Sequence, residues 1–225
     1  MKNTTKQFKH TIVAIDVAIV TIEGNELQVA LIQLKNEPFK NYWALPGGMV
    51  GSEESIKDAV SRHIKMKAGI SKIHLEQLYT FGEVDRDPRG RIVSVGYLAL
   101  SPVEKLKLKA SEEYSNIKLF KVNAIPSKIA YDHKEIIKVA ITRLRSKVVY
   151  TNIVRYLMPD EFTLTDLQRI YEVILGREFD KRNFRKKMMV IKMITDTKRK
   201  TSGGAHRPAS LYRFSGKGDY KIDFI

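Results

Sequence analysis

The chain has 225 residues, with 40 Lys and Arg against 25 Asp and Glu, and therefore a formal net charge of +15. It contains no cysteine, which excludes disulfides, thiolate nucleophiles and thiolate zinc sites. No apolar run approaches the ~20 residues needed to cross a bilayer, and no apolar signal segment follows the first residues. The composition predicts a cytoplasmic protein of one or two domains, without membrane contact, whose positive field attracts a polyanion.

The first predicted elements are two strands joined by a tight turn. Both Thr11–Ile22 and Leu27–Leu34 are rich in β-branched residues, and Gly24-Asn25 between them is a two-residue turn signal. The sequence therefore predicts a β-hairpin here.

A turn-rich loop, Trp43–Gly48, leads into the first predicted helix. Ser52 is expected to cap its N-terminus, and Gly69 is expected to end it. Its buried face is expected to carry the apolar residues at helical spacing, which are Ile56, Ala59, Val60 and Ile64.

Two further strands, Leu75–Glu83 and Ile92–Leu100, flank the polar turn Asp85–Gly90. A strand at Ile117–Val122 and a helix at Asp132–Lys147 follow. The helix is predicted from apolar residues at helical spacing, namely Ile136, Ile137, Ala140, Ile141 and Leu144. These elements complete an α/β (α+β) domain that we assign to residues 1–148.

Residues 149–225 predict a second domain. Thr163 and Asp166 form a capping-box-like pair that starts a helix, and Gly176 is expected to end it. The apolar face of this helix is expected to consist of Leu164, Leu167, Ile170, Tyr171 and Ile174.

Asp180 is expected to cap the next helix, Lys181–Val190. Two apolar residues of this helix are expected to be buried, Phe184 and Met188. The stretch Ile194–Phe214, with Gly203-Gly204 between two strand-like ends, predicts a hairpin. Helix, turn, helix and basic hairpin in this order resemble a winged helix-turn-helix.

One segment, residues 48–70, carries a recognisable spacing of residues. It fits G-x5-E-x7-R-E-U-x-E-E-x-G-U, where U is aliphatic, at six positions, which are Gly48, Glu54, Arg62, Ile64, Gly69 and Ile70. This pattern resembles the Nudix box. The resemblance implies a Nudix fold with Glu54 and Arg62 supporting the loop and helix, whereas an ordinary amphipathic helix is the alternative.

Three glutamates of the pattern are replaced here by His63, Met66 and Lys67. At i, i+3 and i+4 these residues are expected to share one helix face, which in the family coordinates Mg²⁺. Imidazole, thioether and ammonium groups cannot replace three carboxylates around Mg²⁺. We therefore expect no metal, no cofactor and no hydrolase activity, and we expect His63 and Lys67 to bind the effector's pyrophosphate directly.

The turn between the middle strands holds a second candidate site. Arg86 and Arg89 are predicted to lie at the pocket mouth and bind ligand phosphate, because residues 81–89 resemble those of Nudix proteins that bind ADP-ribose. The alternative is a solvated hairpin turn. Three aromatic residues are candidates for stacking on adenine, although core packing is the usual role of such residues; they are Trp43, Phe81 and Tyr97.

The second predicted helix of the C-terminal domain and the hairpin after it are strongly basic. Residues 177–207 contain eleven Lys and Arg against three acidic residues, which favours DNA binding over a merely solvated face. The DNA-binding residues are expected to be Arg182, Asn183, Arg185, Lys186, Lys198, Arg199, Lys200 and Arg207.

Together, a degenerate Nudix domain and a winged helix-turn-helix resemble the Nudix-related transcriptional regulators (NrtR) of bacteria. The resemblance extends to Tyr131-Asp132-His133, to residues 180–185 and to residues 207–214. It implies a homodimeric repressor of NAD-metabolism genes that binds a palindromic double-stranded operator and senses ADP-ribose or a related nucleotide.

Three other functions remain open from the sequence. Some relatives control sugar-utilisation genes instead. An active ADP-ribose pyrophosphatase would need metal ligands from elsewhere, such as Glu83, Asp85 and Asp87. A non-specific nucleic-acid protein would show no sequence preference beyond salt-dependent phosphate contacts.

Overall fold

A computed structural model describes residues 10–69, 73–108, 114–202, 208–216, 218–222 and 224. Within these ranges the chain forms a mixed seven-stranded sheet with two helices, followed by two more helices and a two-stranded sheet. The strands of the large sheet are β1 (Ile12–Glu23), β2 (Glu26–Leu34), β3 (Trp43–Ala44), β4 (Gly47–Met49), β5 (His74–Phe81), β6 (Ile92–Leu100) and β7 (Tyr114–Lys121). No helix in the described part is long and apolar enough to span a membrane.

Strand β1 lies at the centre of the sheet. It pairs in parallel with β6, and its other edge pairs antiparallel with β4 near Ile15 and with β2 near its C-terminal end. The turn between β1 and β2 has φ of +57° at Gly24 and +64° at Asn25, as a two-residue turn with two left-handed positions requires. The predicted hairpin is confirmed.

Helices α1 (Ile56–Ala68) and α2 (His133–Val148) cover opposite faces of the sheet. Val17 and Ile19 pack in the cluster that contains Ile64 of α1, whereas Ala18 and Val20 pack in the cluster formed with α2. Because successive side chains of a strand point to opposite faces, the even-numbered Asp16 of β1 also lies on the α2 side.

Helix α1 begins one turn later than predicted. Ser55, not Ser52, caps it by accepting a hydrogen bond from the Asp58 N–H at 3.2 Å. Gly69 ends the helix in the left-handed conformation, as predicted. Ile56 was expected to be buried but is 37% exposed, since it is the first helical residue and precedes the turn that packs on the sheet.

The C-terminal elements are α3 (Leu164–Leu175), α4 (Lys181–Ile191), β8 (Ile194–Lys200) and β9 (Ser210–Phe214). The predicted capping box of Thr163 and Asp166 is present, and Gly176 ends α3. Strands β8 and β9 pair antiparallel, and Phe162 exchanges two backbone hydrogen bonds with Tyr212. The Gly203-Gly204 turn lies outside the described residues.

The two halves of the chain share one apolar core. The buried faces of α2 and α3 belong to the same cluster, which continues through Ile153 and Leu157 to Phe224. The rings of Tyr171 and Phe224 stack with centroids 4.3 Å apart. Burial of each such side chain contributes about 1.5–3 kcal/mol. The domain boundary after residue 148 therefore stays a prediction, placed between segments that pack together.

Candidate functional site

Glu54 and Arg62 hold the loop before α1 in place. The Arg62 Nε donates to Glu54 Oε2 at 3.0 Å, and its Nη2 contacts both Glu54 Oε1 and the Met49 carbonyl. Glu54 Oε1 also accepts the Gly51 N–H at 2.7 Å. These bonds, that from Arg62 first, lower the pKa of Glu54 to about 2. Both residues thus support the loop, as the Nudix resemblance implies; Ile70 lies outside the described residues.

The three replaced glutamate positions do not share one buried face. Lys67 is only 7% exposed, and its ammonium donates to the Gly47 carbonyl at 2.6 Å. His63 is also buried, and its ring lies so close to Gly48 that a β-carbon there would be 2.3 Å from the imidazole Cε1. Met66 is 53% exposed. Residues at i and i+4 point inward here, and the residue at i+3 points to solvent.

These residues do not fit Mg²⁺. Mg²⁺ takes oxygen ligands in octahedral geometry, and Lys67 places a cation where a carboxylate would be needed. No three His, Asp or Glu side chains in the described ranges are placed to hold a metal ion. Of the substitute carboxylates, Asp87 is paired with Arg89, and Glu83 and Asp85 are exposed.

A cavity of about 270 Å³ lies beside α1 and the loop before it. Its polar lining combines three cations with two carboxylates, a histidine and a tyrosine, and these residues are Lys67, Arg86, Arg89, Asp16, Asp87, His133 and Tyr131. Backbone at Gly47 and Gly48 forms one wall, and apolar residues of β2 such as Ile32 form another. Lys67, Arg86 and Arg89 were predicted as effector-binding residues, and all three reach this cavity.

Arg86 forms the floor of the cavity, not its mouth as predicted. Its side chain is 3% exposed, and it donates to both oxygens of Asp132, at 2.8 and 2.6 Å, and to Asp16 Oδ2 at 3.2 Å. Asp16 also accepts the Ser94 hydroxyl at 2.6 Å and lies 3.2 Å from His133 Nε2. The Nε and Nη2 donors of Arg86 are therefore committed to carboxylates.

Hydrogen bonds and the Arg86 cation keep Asp16 ionised. Burial alone would raise the pKa of this carboxyl, but His133, Ser94 and Arg86 outweigh burial and hold the pKa well below its usual range. The Leu45 N–H donates to His133 Nδ1 at 2.8 Å, so Nε2 carries the proton that faces Asp16.

Arg89 is the more accessible of the two arginines. Its side chain is 45% exposed and bonds to Asp87 through Nε at 2.9 Å and Nη2 at 2.7 Å. The guanidinium also lies over the Tyr131 ring, 5.3 Å from its centroid. Tyr131 has a φ of +54°, a costly conformation for a non-glycine residue that recurs at ligand sites.

The predicted stacking residues lie away from this cavity. Trp43 packs edge-on against Phe120 with centroids 4.6 Å apart, and Phe81 is buried against Gly96 and Tyr79. None of these rings lines the cavity, and neither does His63. The sequence alone predicts no role for Asp16, His133, Tyr131 or Asp132, although Tyr131-Asp132-His133 is part of the resemblance to NrtR.

The basic residues of the C-terminal domain lie on its surface. In α4, Arg182, Asn183, Arg185 and Lys186 are exposed, whereas Phe184 and Met188 are buried. Helix α4 is anchored to α3 by Phe184, whose ring lies 5.6 Å from that of Tyr171. The exposed predicted contacts on β8 are Lys198, Arg199 and Lys200. Arg199 pairs with Glu161, and Arg207 lies outside the described residues.

Two family models match the chain in sequence. The NUDIX domain matches residues 13–140, and the NrtR DNA-binding winged helix domain matches residues 154–214. The chain is 37% identical over 215 residues to the ADPR responsive transcriptional repressor NtrR of Acinetobacter baylyi, covering 95% of this chain and 85% of that protein. It is 37% identical over 122 residues to an ADP-ribose pyrophosphatase of Methanocaldococcus jannaschii, covering 54% and 70% respectively.

The fold matches that of Shewanella oneidensis NrtR. The structure of that protein complexed with a 27mer DNA superposes with a TM-score of 0.79 at 32% identity, covering 90% of this chain and 93% of that one. Its NUDIX domain complexed with ADP ribose gives a TM-score of 0.55 at 32% identity, covering 64% and 94%. The predicted fold class is confirmed. The chain belongs to the NrtR family, with a Nudix domain followed by a DNA-binding winged helix.

Proposed function

We propose that this protein is a transcriptional repressor that binds DNA through its winged helix and responds to ADP-ribose bound in its Nudix domain without hydrolysing it. Lys67 carries the proposal, because this buried ammonium stands where a hydrolase needs a carboxylate and lines a cavity with two arginines. The relatives that bear the names NtrR and NrtR, one ADPR-responsive and the other solved with DNA and with ADP ribose, support it.

The cavity suits a pyrophosphate without a metal ion. A pyrophosphate carries negative charge that Mg²⁺ neutralises in hydrolases. Here the nearly buried Lys67 and the half-exposed Arg89 supply fixed positive charge at the same cavity. Charge-assisted hydrogen bonds from such groups are roughly twice as strong as neutral ones. Lys67 and Arg89 can therefore bind the ligand without a metal ion that would activate water for hydrolysis.

The DNA side of the proposal uses α4 as the recognition helix and β8–β9 as the wing. A homodimer would place two copies of α4 in successive major grooves about 34–36 Å apart, so the operator should be palindromic. The regulated genes are proposed to serve NAD metabolism, with sugar utilisation as the alternative within the family. The dimer can be arranged so that it binds DNA or so that it does not. ADP-ribose changes the affinity for DNA only if it binds these two arrangements with unequal affinity.

Selection of bound duplexes from random sequence, followed by fluorescence anisotropy across an ADP-ribose titration, tests this function. We expect a palindromic site whose dissociation constant rises at saturating ADP-ribose. Binding without sequence preference would overturn the repressor function, and an unaltered constant would remove ADP-ribose as effector.

The hydrolase alternative has its own measurement. Purified protein with ADP-ribose and Mg²⁺ should release no AMP and ribose phosphate at a typical enzymatic rate, ~1 s⁻¹ or more. Turnover at such a rate by the wild type, lost in Lys67→Ala and therefore not due to a contaminating hydrolase, would overturn the proposal that the Nudix domain only senses its ligand.

A further inference from the structure

Helix α4 exposes two large apolar residues on its otherwise basic surface. Val190 is 69% exposed and Met189 is 48% exposed, although the same helix buries Phe184 and Met188 against the core. Single exposed apolar residues are common on protein surfaces. The informative observation is therefore the position of these two on the helix.

Val190 continues the outward row of basic residues. Arg182, Lys186 and Val190 follow each other at intervals of four residues, so they lie on one face of the helix. Met189 follows Lys186 by three residues and borders the same face. All four are on the side away from Phe184.

The charge around this apolar pair favours nucleic acid over a protein partner. Between Asp180 and Asp196 the chain has six basic residues and no acidic one; the basic residues are Lys181, Arg182, Arg185, Lys186, Lys187 and Lys192. The major groove combines phosphates along its edges with an apolar group inside it, the C5 methyl of thymine. An apolar pair among cations is complementary to that surface.

We propose that Val190, assisted by Met189, contacts thymine methyl groups in the major groove and thereby determines part of the operator sequence. This inference rests on the proposed DNA-binding function. At 1.5 Å rise per residue, Val190 lies about 12 Å along α4 from Arg182. At 3.4 Å per base pair, the thymine lies three to four base pairs from the base that Arg182 contacts.

Replacement of thymine by deoxyuridine tests the contact, since it removes only the methyl group. In the selected operator, each thymine of both half-sites is replaced in turn, and the full-length protein is titrated by anisotropy. We expect about a fourfold loss of affinity per methyl at the contacted position, equivalent to about 0.8 kcal/mol. Val190→Ala should bind the two duplexes equally well. Met189→Ala should retain part of the difference in affinity between the thymine and deoxyuridine duplexes.

Val84→Ala is the matched control, because Val84 is 68% exposed and lies in the other domain. It should keep the wild-type sensitivity to deoxyuridine. If the wild type binds its operator specifically but tolerates every deoxyuridine, the inference is overturned and the repressor function stands. Equal sensitivity in wild type and Val190→Ala would also overturn it, because the methyl group would then be contacted by another residue. Absence of any preferred duplex would overturn the repressor function itself.

Discussion

Arg86 and Asp132 form a two-pronged ion pair, with Nε donating to Oδ2 at 2.8 Å and Nη2 donating to Oδ1 at 2.6 Å. Asp132 immediately precedes α2, and Arg86 lies in the loop after β5. Through Asp16, the same arginine also reaches the central strand β1. Arg86 therefore joins three segments beneath the cavity, which are its own loop, the start of α2 and strand β1. Its position in the sequence did not reveal this structural role.

Arg86→Ala should lower the free energy of unfolding by about 3 kcal/mol or more, because it leaves buried carboxylates without their cation. Urea denaturation measures the change. Arg89→Ala is the matched variant, since Arg89 is 45% exposed. It leaves one buried carboxylate, that of Asp87, without its cation, so it should lower stability by less than Arg86→Ala does, and it should weaken ADP-ribose binding roughly tenfold to a hundredfold. Equal loss of stability in both variants would contradict the assigned roles.

Lys67 should make ADP-ribose binding independent of metal. Calorimetry should give the same affinity in EDTA and in Mg²⁺ for the wild type. Lys67→Glu should lose roughly tenfold or more in EDTA and recover part of it with Mg²⁺, because a carboxylate restores one oxygen ligand. Met66→Glu, on the exposed side of α1, should bind as the wild type does. A wild type that requires Mg²⁺ would refute this role for Lys67.

Asp16 should contribute stability that acid removes. Its folded-state pKa is depressed, whereas an unfolded aspartate has a pKa of about 3.9. Its stabilising effect is therefore fully present above that pH and is lost as the pH falls toward the folded-state value. Asp16→Asn should be less stable than wild type at pH 7, and the difference should shrink as the pH falls from about 4 to about 2. Denaturation curves at several pH values measure the difference, with Asp160→Asn, at 97% exposure, as the control. A constant difference across this range would be inconsistent with the network.

Substitutions of base-contacting and phosphate-contacting residues of the winged helix should have different effects on DNA binding. Arg182, exposed near the N-terminus of α4, is expected to contact base edges, and Lys200, exposed on β8, to contact phosphate. Arg182→Ala should relax sequence preference, whereas Lys200→Ala should weaken binding to all sequences and reduce the salt slope by about one. Anisotropy on specific and scrambled duplexes at several salt concentrations measures both. The reverse pattern would show that α4 lies in the groove differently.

Most helices and strands were predictable because their signals lie in short stretches of sequence. The residues beneath the cavity were not predictable in this way. The capping box of Thr163 and Asp166 and the left-handed Gly176 lie within or beside one helix, so the sequence predicted α3 in full. The error at Ser52 arose because two nearby serines can cap the same helix. The contact between Asp16 and His133 joins residues far apart in the chain. The packing of α2 on the sheet brings them together, and no spacing rule shows that.

The aromatic candidates lie outside the lining of the cavity for a related reason. Trp43 and Phe81 were chosen by residue type, but burial decided their roles as packing residues. Tyr131 lines the cavity because its backbone adopts a left-handed φ of +54°. That conformation is rare for a residue with a β-carbon, and residue type alone does not predict it.

The apolar core shared by α2, α3 and Phe224 implies that the chain melts as one cooperative unit. Fluorescence of Trp43, in the first half, and circular dichroism of the helices should then give coincident unfolding curves. A ligand that binds only the folded chain would also protect the winged helix from unfolding, by about 2.7 kcal/mol at a concentration one hundred times its Kd. Occupancy of the cavity would thus slow proteolysis of a DNA-binding surface that the ligand never touches.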